Sequence, residues 1–272
     1  MEICVFSKHL QALDFKSLGK TLKKLGIGGV DLTVRRGGHV EPSEVKDKLP
    51  LAKDILSKEG IKITMVTTEI TDIDQQDAKD VLETASHLGI GYFKLGYYLY
   101  QEFGSLKRLL QEANAKMKDI ASFCEHHRIK GGYHNHSGDC LAASVPHVLE
   151  MLEGCSRQGL GVYFDIGHAA IEGGYSGWKM NLDYLADRLF MVAVKDLCFS
   201  KKGSEEKAWP WEVRVVPMGE GLVNWQAFLK YLKLTGFDGP FSMHSEYNLP
   251  VEEVVAQTEK DLKFLNRELT RT

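Results

Sequence analysis

Short runs of apolar, β-branched and aromatic residues alternate with longer stretches of helical periodicity along the whole chain. The runs are EICVF (2–6), GGVDLTV (28–34), IKITMVTT (61–68), GYFKLGY (91–97), IKGGYHN (129–135), LGVYFDI (160–166), LFMVAVKD (189–196) and GPFSMHSE (239–246). Between them, apolar residues recur every three or four positions, the spacing of one helix face: Phe15, Leu18, Leu22 and Leu25 in one stretch, Leu106, Leu109, Ala113, Met117 and Ile120 in another. Gly26, Gly60 and Gly89 each stand where a helix must turn before the next run. Asp14 and Asn224 are placed to cap helices, and Pro50 is expected to begin one.

Eight strand signals, each followed by a helix signal, predict β-α repeated eight times. Strands covered by crossover helices read as continuous apolar runs, as these do. An open doubly wound sheet is the alternative, but no GxGxxG turn follows the first run, which also argues against a nucleotide cofactor. The predicted fold class is therefore α/β, a single closed (β/α)8 barrel. No linker, low-complexity tract or charge block divides residues 1–272, so one domain is expected.

Composition narrows the function little. At 272 residues, a net charge of −3 and only short basic runs, the chain carries no electrostatic signature of a nucleic-acid partner. Five scattered cysteines show neither zinc-ligand spacing nor a disulfide pattern. No apolar stretch reaches the ~20 residues that span a bilayer, and no leader is visible, so a cytoplasmic protein without membrane contact is expected.

In such barrels chemistry sits at the C-terminal ends of the strands. Those positions are unusually polar here: Asp31; Lys94 with Tyr97; His134, Asn135 and His136; Asp165 and His168; Lys195 and Asp196; His244 and Glu246. Alternation along a strand puts His134 and His136 on one face, and likewise His244 and Glu246. Imidazoles and a carboxylate together suit a first-row divalent cation. The expected metal ligands are His134, Asp165 and His244; hydrogen bonding at a wet rim is the competing explanation. Lys195 emerges from the apolar run FMVAV, where desolvation would lower its pKa and fit it for proton transfer or imine formation. The competing role is an ion pair with Asp165 or Glu246. Lys94 reads as a positive charge for a substrate oxygen or as the partner of a carboxylate. The insertion CFSKKGSEEKAWPWE (198–212) reads as a lid or partner surface, with Trp209 and Trp211 offering flat faces to a sugar ring. Gly219 and Gly221 would let backbone approach a ligand.

The motifs YHNHSG, YFDIGHA, VAVKDL, VPMGEGLVNW and GPFSMHSEY, in that order and near those strand ends, resemble the xylose isomerase-like TIM barrels, the superfamily of sugar phosphate isomerases/epimerases and endonuclease IV. The resemblance spans essentially the whole chain. It implies an isomerase or epimerase acting on a keto-sugar or polyol derivative, with zinc, manganese, iron or magnesium as cofactor and a homodimer or higher homo-oligomer as assembly. A related lyase or dehydratase, or a carbohydrate-binding or regulatory barrel, are the alternatives. In the family, a glutamate, an aspartate, a histidine and a glutamate hold the metal. Here Asp165 matches the aspartate, but His134, Ala193 and His244 stand at the other three positions. That exchange removes the two glutamate bases and leaves His134, His244 and Lys195 as the candidate catalytic residues. His136, His168, Arg214, Lys94, Glu246 and Asn135 would bind the substrate. An endonuclease IV-like activity is not expected, because its richer metal-ligand set and basic surface are missing.

Overall fold

Each predicted apolar run becomes a strand, and each periodic stretch a helix, in the computed structural model, which describes residues 1–202 and 210–272. The barrel strands are β1 (Glu2–Phe6), β2 (Gly29–Thr33), β3 (Lys62–Thr67), β4 (Tyr92–Lys94), β5 (Lys130–His134), β6 (Leu160–Asp165), β7 (Leu189–Val194) and β10 (Pro240–Met243). They close in the order β1-β10-β7-β6-β5-β4-β3-β2, with every pair parallel. Eight helices connect them: α1 (Phe15–Lys24), α2 (Val45–Lys58), α3 (Ala78–His87), α4 (Leu106–His127), α5 (Val145–Met151), α6 (Ile166–Leu185), α7 (Trp225–Leu234) and α8 (Val251–Arg271). This is the (β/α)8 architecture, and the core is the shell between strands and helices.

Alternation sets which side chains enter the barrel. Cys4, Met65, Tyr163, Met191 and Ala193 form a second, small buried cluster of their own. The strand residues one place out of step, such as Val192, Val194 and Phe164, pack in the main core. Continuing the inward parity of β7 from Met191 and Ala193 brings Lys195 to the mouth, and that of β6 from Tyr163 brings Asp165. Gly132 is required on β5, because a Cβ there would run into the Met191 side chain.

Asp14 caps α1 by accepting from the Ser17 N–H at 2.7 Å, and Asn224 caps α7 through the Ala227 N–H at 3.2 Å. Two local expectations are corrected. Pro50 lies inside α2 rather than at its start, because a 3-10 turn at Pro42–Glu44 begins the helix earlier. The carbonyl that Pro50 cannot serve belongs to exposed Lys46, on the solvent side of the helix. The described ends of the insertion after β7 form a strand pair that the sequence pattern does not assign. β8 (Asp196–Lys201) and β9 (Trp211–Val216) pair antiparallel, from Asp196 opposite Val216 to Lys201 opposite Trp211. Among the described residues, no helix is long and apolar enough to cross a membrane.

Candidate active site

His134 ends β5, Asp165 ends β6 and His244 follows β10, and the barrel brings a ligand atom of each within 4.8 Å of the others, all buried. The backbone fixes Asp165 twice. Asn135 accepts from the Asp165 N–H at 2.7 Å and donates its amide to the Asp165 carbonyl at 2.9 Å. The carboxylate itself caps α6, its Oδ1 accepting from the His168 N–H at 3.0 Å. That leaves Oδ2 for the site. It faces His134 Nε2 at 3.2 Å, yet neither atom has a hydrogen bond of good geometry, and the charge of Oδ2 is met by the Lys195 ammonium at 3.3 Å.

The remaining nitrogens have assigned work. His134 Nδ1 meets the Tyr97 hydroxyl at 2.6 Å. His244 Nδ1 lies 3.2 Å from Glu246 Oε1, which can only accept, so Nδ1 carries the proton and Nε2 accepts from the Tyr163 hydroxyl at 2.8 Å. Tyr163 has a second acceptor in Asp31 Oδ2 at 3.4 Å, to which it can turn when Nε2 is needed elsewhere. Two imidazoles and one carboxylate with open or releasable lone pairs fit a divalent first-row cation. Burial holds His134 neutral, its pKa lowered to about 3, so one of its two ring nitrogens keeps a free lone pair at neutral pH while the other carries the proton.

Two buried lysines complete the wall, in opposite circumstances. Lys195 Nζ lies 2.9 Å from Glu246 Oε1 and 3.3 Å from Asp165 Oδ2. Burial alone would lower its pKa, but the two carboxylates outweigh it and the net shift is upward. Both carboxyls are in turn held well below their usual range: burial pushes them up, and Lys195 together with His168 and His134 at Asp165, or with His244 and Lys8 at Glu246, outweighs it. The expected lowered pKa of Lys195 is therefore corrected: it is a fixed cation. The side-chain amine of Lys94, a residue 5% exposed, makes no hydrogen bond or ion pair among the described residues, and it sits 3.7 Å above the Tyr97 ring. Burial first, then the Arg35 guanidinium, lower its pKa to about 7.

These groups meet at a cavity of about 70 Å³ lined by Phe6, Lys8, Arg35, Thr67, Lys94, Tyr97, His134, His136, Tyr163, His244 and Glu246. His136 donates Nδ1–H to the Ser137 carbonyl at 2.7 Å, so Nε2 is its free lone pair. The His168 ring packs against that of His136, centroids 3.9 Å apart and planes tilted by 40°. Its Nδ1 accepts from the Ser137 N–H at 3.2 Å, which leaves Nε2–H as a buried donor without a partner.

Other expected contacts fall elsewhere. Asn135 spends both ends of its amide on Asp165, so its place is behind the ligand rather than against a substrate. Arg214 is exposed on β9 and does not line the cavity. Gly219 and Gly221 do permit close approaches, but to the chain itself: a Cβ on Gly221 would collide with the Asp196 carboxylate, and one on Gly219 with the Phe264 ring. Asp196 accepts from the N–H groups of Leu197, Gly219 and Val223 and from the Trp225 indole, and so ties down the whole loop. Trp211 is half-exposed on β9; Trp209 lies outside the described residues. Tyr163 and Arg35 were not anticipated. Tyr163 shares the inward parity of Asp165 on β6, which is a legible signal; Arg35 follows β2 and gives none.

A closed parallel barrel with its polar groups gathered at the strand ends defines the class of the (β/α)8 barrel proteins. Within it, this chain belongs to the xylose isomerase-like TIM barrel family, whose sequence profile matches residues 20–268. Solved structures share the fold at low identity. The 3-keto-D-glucoside 4-epimerase of E. coli, in its apo form, superposes with a TM-score of 0.74 at 11% identity, covering 98% of this chain and 99% of the other. The D-allulose 3-epimerase of Methylomonas sp., in complex with D-allulose, gives 0.72 at 16% identity over 98% and 97% of the two chains. The IOLI protein with a bound zinc atom gives 0.71 at 16% identity over 98% and 99%. No curated protein matches the chain.

Proposed function

We propose that this protein is a sugar isomerase or epimerase that acts on a keto-sugar or polyol derivative by proton transfer next to a carbonyl. The observation that carries this reading is the convergence of His134, His136, His244, Glu246 and Lys94 on one small polar cavity at the C-terminal ends of the strands. The cavity holds on the order of five waters. It therefore suits the carbonyl end of a sugar, with the remaining hydroxyls lying toward the rim. The epimerases among its structural relatives support the substrate class.

His134, Asp165 and His244 would hold a divalent cation, which when bound polarises the carbonyl or enediolate oxygen. The chain's own groups do the rest. Lys195 keeps the Asp165 and Glu246 carboxylates ionised and in place. His136 presents a neutral lone pair at Nε2, the state in which an imidazole accepts a proton near neutral pH. His168 Nε2–H, a buried donor, is available to a substrate oxygen.

Deuterium exchange tests this reading. Incubation of a keto-sugar panel in D2O, read by proton NMR, is expected to show label entering the carbon beside the carbonyl of at least one member. His136→Asn should slow that exchange by about 100-fold. Tight sugar binding with no exchange across the panel would instead mark a binding protein and end the enzymatic proposal.

A further inference from the structure

The family's usual two-glutamate proton transfer has no counterpart here, since His134 and His244 occupy those positions. The closed strand order places β4 four positions from β10, directly across the barrel. Lys94 is the last residue of β4, and its backbone carbonyl is anchored by the Thr68 N–H at 3.1 Å and the Thr68 hydroxyl at 2.7 Å. Its side chain reaches the cavity opposite His244 and Glu246, over the face of Tyr97.

We propose that Lys94 is a catalytic residue that serves as the proton-moving group on the β4 side of the cavity, facing the carbon beside the carbonyl of a keto-sugar. This rests on the reading of the cavity as a proton-transfer site, and adds to it the group that works from this face. The Nζ lone pair takes the proton from carbon. The C–H electrons form the enediolate double bond, and the carbonyl oxygen takes up the negative charge. Return of a proton to the opposite face, or to the neighbouring carbon, gives the epimer or isomer with no net oxidation.

Three features fit Lys94 for this role. It has no carboxylate in ion-pair contact among the described residues, in contrast to Lys195, so the ammonium is held only by more distant carboxylates and the Tyr97 ring face. The charges that act on it are Arg35, which disfavours the ammonium, against the weaker pull of Asp31, Glu69 and Glu246; with burial, these bring its titration to about 7. It also lines the cavity itself, so the amine and a substrate share one space. A base titrating near the working pH combines a populated free form with useful basicity.

Two measurements test the proposal, the first independent of any substrate. In protein reductively methylated with ¹³C-formaldehyde, the Lys94 resonance, assigned by its loss in Lys94→Arg, should titrate near pH 7. Titration in the ordinary lysine range would overturn the proposal. The second measurement follows exchange from D2O into a keto-sugar such as D-allulose. Lys94→Met should lose about 100-fold in exchange rate, and methylamine should restore part of it in Lys94→Ala, in proportion to its unprotonated form. Wild-type exchange by Lys94→Met, or a borohydride-stable sugar adduct on Lys94, would overturn the proton-transfer role. If the wild-type protein exchanges no panel sugar, the sugar reading falls, while the titration still decides whether Lys94 is a free amine.

Discussion

Lys94 and Lys195 are both buried, both at strand ends, and opposite in what their charge does for the fold. Lys195 joins two carboxylates, and removing it strands them in a dry environment. Lys195→Met is therefore expected to cost about 3–5 kcal/mol, read by urea unfolding at pH 7. Lys94 has no such partner, so replacing it with an apolar side chain of similar length removes a desolvation penalty. Lys94→Met should stabilise the protein by about 1–3 kcal/mol, the trade of stability for function common at active sites. The pH dependence separates the two further. The folded pKa of Lys94 lies below its unfolded value, so the unfolded state binds more protons between pH 7 and 10.5. Wild-type stability should rise with pH across that window relative to Lys94→Met. Asp165 and Glu246 shift downward, so their contribution is complete above about pH 4.5 and is lost on acidification. A Lys94→Met variant less stable than wild type at pH 7 would mean that this ammonium has a partner after all. Strand alternation makes the approach of His134, Asp165 and His244 legible in the sequence. It offers Asp165 and Glu246 as partners for Lys195 without deciding between an ion pair and a free amine, because that balance depends on distances set between β6, β7 and the segment after β10.

At the scale of single elements, the loop after β9 is built on Asp196. One buried carboxylate collects three backbone N–H groups and an indole N–H, while Gly219 takes a positive φ of 92° and Gly221 leaves room for the carboxylate. Asp196→Ala leaves those four donors unpaired and should cost about 2–4 kcal/mol. Gly221→Ala should do comparable damage by displacing the carboxylate. Both are checked by chemical denaturation, with Glu220→Ala on the exposed part of the same loop as a neutral reference. This loop shows where the sequence misleads. Its glycines suggest a ligand, but a glycine signals only that something comes close, and here it is the chain's own Asp196 and Phe264. The eight barrel strands were readable because continuous apolar runs of five to eight residues, separated by periodic helices, admit few other arrangements. The β8–β9 pair was not, although WEVRV (211–215) alternates apolar and polar: it lies in a polar insertion, and its apolar positions Trp211 and Val213 are exposed rather than packed in a core. Pro50 failed as a helix marker because propensity is local, whereas its helix begins from a turn at Pro42.

Across the whole molecule, the mouth of the barrel is balanced in charge before any cation arrives. Asp165 and Glu246 are matched by Lys195, while Lys8 lies 3.2 Å from the other oxygen of Glu246. A divalent cation at His134, Asp165 and His244 must share Asp165 Oδ2 with an ammonium 3.3 Å away. Coulomb repulsion at that distance is worth several kcal/mol even in a screened interior, so metal affinity should be modest in the native protein. The same reasoning gives a variant in which it is not. Lys195→Met withdraws the competing charge and leaves both carboxylates in need of a cation, so zinc or manganese should bind it about 10-fold tighter or more. Because a ligand that binds only the folded state stabilises it, added metal should raise the melting temperature of Lys195→Met more than that of wild type. It should thereby recover part of the stability lost with the lysine. His134→Ala and His244→Ala, each on the Lys195→Met background, should abolish that rise. Calorimetric titration of zinc and manganese, run beside the melting curves, separates site binding from general salt effects. Equal metal responses in all four proteins would remove the cation from the site and leave the carbonyl to be polarised by the chain's own donors.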